Sequence, residues 1–219
     1  MFRQLADGSG PAERLTKPEP GSQHEPESWS PDGRTLSFNN VRGNNQGVWT
    51  VTVDGERKPT IFADSAENTV EKHSMFSPDG RWIAYMTAPV TGTGVNTEVF
   101  VQPFPPSGVK YQVSTNGGRA PRWSPDGKQL YYHESPTNQL FVVDVRTTPS
   151  FSFGQPRVLP IEGTIHPVAQ RNYDLTADGR QMLVVRPAAA AMSDARSAAQ
   201  LHVVLGWFEE LKARVPATK

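Results

Sequence analysis

The sequence predicts an all-β fold, a β-propeller of four-stranded antiparallel blades. Two observations carry this. The first is a turn that recurs at a fixed interval: Ser30-Pro31-Asp32-Gly33, Ser77-Pro78-Asp79-Gly80, Ser124-Pro125-Asp126-Gly127 and a degenerate Thr176-Ala177-Asp178-Gly179. The four Asp residues are spaced by 47, 47 and 52 positions. The second is that each interval holds four short β-type runs, the unit of a propeller blade.

The turn has a physical reading. Pro sets φ at the first corner, Asp hydrogen-bonds nearby backbone, and Gly accepts the positive φ that closes the turn. An aromatic residue precedes the first three copies (Trp29, Phe76, Trp123), and Tyr173 lies near the fourth. After each turn comes a second strand, as in Thr35–Phe38, Trp82–Met86, Gln129–Tyr132 and Gln181–Val185. The turn therefore joins a hairpin, and its Asp residues are assigned to turn chemistry rather than to calcium or catalysis. The recurrence of the aromatics at the repeat period points to packing between blades rather than to a carbohydrate platform.

Third strands with period-two alternation follow at Gly47–Val53, Thr97–Gln102 and Gln139–Val145. Fourth strands follow at Thr60–Ala63, Tyr111–Ser114 and Pro156–Leu159. Residues 1–17 read as a half-blade, and blades start near 26, 73, 120 and 172, so that the propeller spans 1–206. That makes about 4–5 blades, either a small ring closed by strand borrowing between the two ends or the C-terminal portion of a larger ring. Leu201–Leu205 reads as a third strand of the last blade, and Trp207–Val215 within 207–219 as a short amphipathic C-terminal helix.

Composition bounds the function. With 22 basic and 22 acidic side chains in 219 residues, nothing marks a nucleic-acid binder. The absence of Cys excludes disulfides and thiolate metal sites. No stretch approaches the roughly 18 apolar residues of a membrane span, and the first residues do not form a signal peptide.

The blades resemble the TolB-like propellers built of PD40 repeats, most specifically in Gly118–Tyr132. Leu201–Leu211 is similar to the C-terminus of propellers appended to bacterial membrane serine/threonine kinases and related sensor proteins, with Gly206 where that group has Asn. The resemblance implies a non-catalytic module on the periplasmic or extracytoplasmic side, binding a protein or peptide partner or a small envelope ligand. It also implies an upstream kinase or transmembrane region in a full-length protein. No kinase motif and no Gly-x-Ser-x-Gly nucleophile elbow occurs in the chain itself.

The loops leading into each first strand are expected to gather at one mouth of the central channel. His24, His73, Arg119, Arg171 and Tyr173 are the candidate ligand-binding residues there, beside Glu71, Lys72 and Asn172. No catalytic residue, cofactor or metal ligand is assigned, because the five His residues show no short ligand spacing. The alternative function is a hydrolase or lyase with its site at the same mouth.

Overall fold

The computed structural model describes residues 1–63, 69–90, 97–135, 137–161 and 173–185, all within a unit spanning Met1–Arg186. The predicted C-terminal helix, the Leu201–Leu205 strand, the closing motif and Arg171 lie outside the described residues.

Three antiparallel four-stranded sheets follow one another along the chain, the first two joined into one eight-stranded sheet by a parallel bridge between Gln46 and Val70. The first comprises β3 (Ser22–Trp29), β4 (Thr35–Arg42), β5 (Asn45–Thr52) and β6 (Thr60–Ala63). The second comprises β7 (Thr69–Phe76), β8 (Trp82–Pro89), β9 (Glu98–Pro103) and β10 (Tyr111–Gln112). In the third, β11 (Arg119–Trp123), β12 (Gln129–His133), β13 (Leu140–Arg146) and β15 (Arg157–Val158) repeat the order. An additional short strand, β14 (Ser152–Phe153), also pairs with β13. Two hairpins flank the sheets, β1 (Phe2–Arg3) with β2 (Glu13–Arg14), and β16 (Tyr173–Leu175) with β17 (Met182–Val184). Among the described residues no strand pairing joins β1 or β2 to β16 or β17.

The repeat turn is built alike in all four copies. Asp32 Oδ1 accepts from Ser30 Oγ at 2.6 Å and from the Arg34 amide at 3.0 Å. Ser30 Oγ in turn accepts from the Thr35 amide at 2.9 Å. The same relay holds at Ser77–Asp79–Arg81, Ser124–Asp126–Lys128 and Thr176–Asp178–Arg180. The hydroxyl before the Pro is thus as necessary as the Asp, and Thr176 supplies it in the degenerate copy. Successive turns also stack. A Cβ on Gly80 would meet the Pro31 ring at 3.3 Å, one on Gly127 the Pro78 ring at 3.7 Å, and one on Gly179 the Pro125 ring at 3.4 Å.

These bonds depress the carboxyl pKa values. At Asp79 burial alone would raise it, but the Ser77 hydroxyl, the Arg81 amide and side chain, and Thr147 bring it from 3.8 to about 2. The Ser or Thr hydroxyl lowers Asp32, Asp126 and Asp178 first, followed by the backbone amide two residues on. A depressed folded-state pKa means stability that is present above the unfolded value and lost as pH falls through the folded one. The melting temperature is therefore expected to hold down to about pH 4 and to drop between that point and about pH 2. A flat profile across this window would contradict the relay.

Packing alternates through the sheets. In each second strand, one set of side chains faces the preceding unit and the other set faces the following one. Leu36 and Phe38 join Leu15, Val51 and Val53 against the first hairpin, whereas the Ser37 hydroxyl lies 2.8 Å from that of Ser74 in the second sheet. Ile83 and Tyr85 pack with Val48, Phe62 and Ala63 of the first sheet, and Ala84 packs toward the third with Trp123. Leu130 and Tyr132 complete that second interface, and Tyr131 turns to Tyr173 in the last hairpin. Both faces of each central strand are thus buried, which explains runs such as Leu36-Ser37-Phe38-Asn39 with no exposed position.

Among the described residues, one buried hydroxyl sits in an especially apolar place. Tyr85 is fully buried and its hydroxyl makes no hydrogen bond among the described residues. Burial raises its pKa, and the nearby Glu71 charge raises it further. Because an unpaired buried hydroxyl is unfavourable, Tyr85→Phe is expected to be neutral or to stabilise by about 1 kcal/mol in urea unfolding. A loss greater than that would reveal a bond to this hydroxyl.

Candidate functional site

Each first strand is interrupted by a β-bulge at the same repeat position. Register shifts occur between Pro26 and Ser28, between Lys72 and Met75, and between Arg119 and Arg122. The second and third bulges hold His73 at φ 58° and Ala120 at φ 50°, conformations unfavourable for residues with a Cβ. A neighbour compensates at the second. Glu27, from the bulge of the first sheet, accepts from the His73 amide at 2.5 Å and the Ser74 amide at 2.8 Å, and also from the Ser74 hydroxyl. Bulges re-aim side chains and recur beside functional sites, so the strand segments ahead of them form the candidate site.

The described candidates His24 and Arg119 lie there, and all the described candidates sit in strands rather than loops. His24 and His73 sit within β3 and β7, together with Glu71 and Lys72, while Arg119 and Tyr173 open β11 and β16. The loop expectation fails because β4 and β8 are eight residues long and pair with the first strands back to Ser22 and Thr69. The polar composition of β3 and β7 hid this extension.

The structure brings Arg119 and Tyr173 together through two residues the sequence reading did not single out. Arg119 pairs with His133 across the strands, and its guanidinium donates to Asn138 Oδ1. His133, buried to 1% exposure, has Nδ1 3.1 Å from the Asn138 carbonyl. The Tyr173 ring meets His133 edge-on, with centroids 5.0 Å apart, and its hydroxyl donates to the Ala120 carbonyl at 2.7 Å. Burial lowers the Arg119 pKa below its ordinary value. Asn138 itself sits at φ 58°. The result is a guanidinium held by Asn138, whose carbonyl also meets the buried His133 ring that packs against Tyr173 of the last hairpin.

His24 and His73 belong to other sheets. His24 Nδ1 lies 2.9 Å from Thr16 Oγ1, and its ring is tilted over Phe38 at 4.8 Å. Burial, then the Met1 ammonium, lowers its pKa. His73 is placed by its backbone bond to Glu27. Glu25, Lys72 and Arg119 occupy equivalent repeat positions 47 apart, so the three first strands carry a charged side chain at one level beside their bulges. Among the described residues no three His, Asp or Glu side chains gather as metal ligands.

At the opposite, turn-bearing end, a groove of about 770 Å³ is lined by Asp126–Gln129 and Asp144–Thr148. Its charges lie close to one another. Lys128 is 3.9 Å from Asp126, and Asp144 accepts from Gln129 at 2.9 Å and lies 3.9 Å from Arg157.

Comparison with known proteins supports the architecture. The chain superposes on TolB from Acinetobacter baumannii with a TM-score of 0.51, at 19% identity over 83% of this chain and 47% of that one. Its fold is that of the TolB-like β-propellers. The periplasmic gluconolactonase PpgL of Pseudomonas aeruginosa superposes equally well, with a TM-score of 0.52 at 21% identity over 84% of this chain and 55% of that one. An uncharacterized protein of Agrobacterium fabrum is 33% identical over 132 residues, 57% of this chain and 43% of its own length. The chain thus spans about half the length of the relatives it matches. No family model matches it.

Proposed function

We propose that the chain is a non-catalytic binding module of a bacterial envelope or signalling protein. It holds a protein, peptide or small envelope ligand on the first strands beside their bulges, at Lys72 and Arg119 with His24 and His73, while Tyr173 packs against His133 from the last hairpin. The carrying observation is the Arg119 guanidinium, held by Asn138, whose carbonyl also meets the buried His133 ring. A planar donor fork on a rigid scaffold suits a carboxylate or a peptide carbonyl. The Tyr173 hydroxyl is engaged in holding the scaffold, through its bond to the Ala120 carbonyl next to Arg119. The resemblance to TolB-like propellers and to kinase-appended propellers supports an extracytoplasmic position and a larger parent protein.

A peptide array that includes acidic sequences and free C-termini tests this reading, with the best binder then titrated in solution. Arg119→Ala is expected to weaken that complex at least tenfold, about 1.4 kcal/mol, while leaving the melting temperature within a few degrees. Lactone or oligouronate turnover by the wild-type chain that disappears in His133→Ala would instead establish the enzyme reading.

A further inference from the structure

Three first strands lie side by side. Strand β7 approaches both β3 and β11 to within 8 Å between Cα atoms. Their registers with the second strands match as well: Glu25 pairs with Asn39, Lys72 with Met86 and Arg119 with His133, each pair 47 positions from the next. Asn39, Met86 and His133 are all buried. Glu25, Lys72 and Arg119 therefore form a row across three neighbouring strands, each set against a buried second-strand residue.

Most charged side chains on these strands are used by the scaffold. Glu27 holds the His73 and Ser74 amides, Arg119 donates to Asn138, Arg122 pairs with Asp174, and Glu71 is fully buried. Two are left over. Among the described residues neither the Glu25 carboxylate nor the Lys72 ammonium makes a hydrogen bond or an ion pair, with each other or with any neighbour. Glu25 is exposed, whereas Lys72 is half-buried. An ammonium partly withdrawn from water is unfavourable until a counter-charge meets it.

We propose that this row recognises a mixed-charge peptide in extended conformation. Its basic side chain sits on Glu25 and its acidic side chain, two residues away, on Lys72, with Arg119 extending the cationic side by one strand. The inference rests on the binding reading above and narrows it from an acidic ligand to one that also carries a cation. The spacing favours a peptide. A step of up to 8 Å between neighbouring first strands is the length of about two residues of extended chain, the interval at which side chains return to one face. A free amino acid carries its ammonium and carboxylate on one carbon, too close together to span two strands. Selectivity comes from repulsion as much as attraction: an all-acidic peptide sets a carboxylate against Glu25, and an all-basic one sets an ammonium against Lys72.

Fluorescence anisotropy of the 219-residue chain with capped, labelled hexapeptides of otherwise neutral sequence tests this. Two probes carry one Lys and one Glu two residues apart, in either order; a third carries two Glu and a fourth two Lys. One mixed peptide is expected to bind about tenfold tighter than either like-charged one. Glu25→Lys should make the two-Glu peptide the best binder, and Lys72→Glu the two-Lys peptide. Neither side chain has a partner to lose, so both variants should melt with the wild type. Free lysine or glutamate should not compete. Binding ranked by acidity alone, unchanged in Glu25→Lys, would overturn the inference while leaving a binding module in place. Competition by the free amino acids would overturn the peptide as occupant. Failure of every peptide to bind would overturn the inference together with the reading on which it rests.

Discussion

Replacing Glu27 with alanine is expected to lower the stability of the chain by about 3 kcal/mol. The carboxylate accepts from the His73 amide, the Ser74 amide and the Ser74 hydroxyl, all in the bulge of the neighbouring sheet. Ser74 is fully buried, and its hydroxyl continues to Ser37 of the first sheet. Without Glu27 these donors lose a charged acceptor, and each buried donor left unmet is unfavourable by about 1–3 kcal/mol. The bulge also keeps His73 at positive φ, which nothing else in this bond set would enforce. Glu27→Gln should recover part of the loss, since its carbonyl can still accept while its amide confronts donors. For a chain of this size the Glu27→Ala melt should fall by roughly 10 °C. A change below about 0.5 kcal/mol would show that the bond set does not tie the sheets.

Trp123→Ala should have an effect of similar or greater size, about 3–5 kcal/mol. The indole is 2% exposed in the cluster between the second and third sheets, with Val99, Val101, Val113, Leu130 and Tyr132. Its truncation leaves a cavity at the centre of an inter-sheet contact and strands the Met75 carbonyl that the indole N–H meets. Trp123→Phe keeps much of the apolar contact and should lose about 1–2 kcal/mol, through the missing bond and a smaller void. Equilibrium urea unfolding separates the two variants. Equal losses in both would place the energy in the hydrogen bond rather than in packing.

The two effects show which parts of the molecule were legible in the sequence. The turns were, because Pro, Asp and Gly have narrow backbone roles and recur at a fixed spacing. Third strands were legible from alternation, as at Gly47–Val53, where β5 covers Asn45–Thr52. The aromatics read as inter-blade core are buried at Phe76, Trp123 and Tyr173, but Trp29 departs from that reading. The bulges were not visible, since Glu27, Ser74 and Pro121 occupy one repeat position with three unrelated side chains. Their shared role is a backbone shape rather than a chemistry. The inner strands were under-read for a related reason: Ser22–Trp29 and Thr69–Phe76 carry polar residues on either side of the bulge, which breaks the period of two. Pro26 within β3 adds to the disguise, though an edge strand tolerates it. The site followed the same pattern. Arg119 and Tyr173 could be named from their place in the repeat, whereas His133 joins them through the β11–β12 pairing and Asn138 through its bonds to Arg119 and His133.

Amide hydrogen exchange with the best peptide from the array tests the central claim most directly. Binding on the first strands beside their bulges predicts new protection at residues 69–72, 119–122 and 173–175, with the four turns unchanged. Protection concentrated instead at 30–34, 77–81 and 124–128 would contradict the account and move the binding surface to the turn-bearing end.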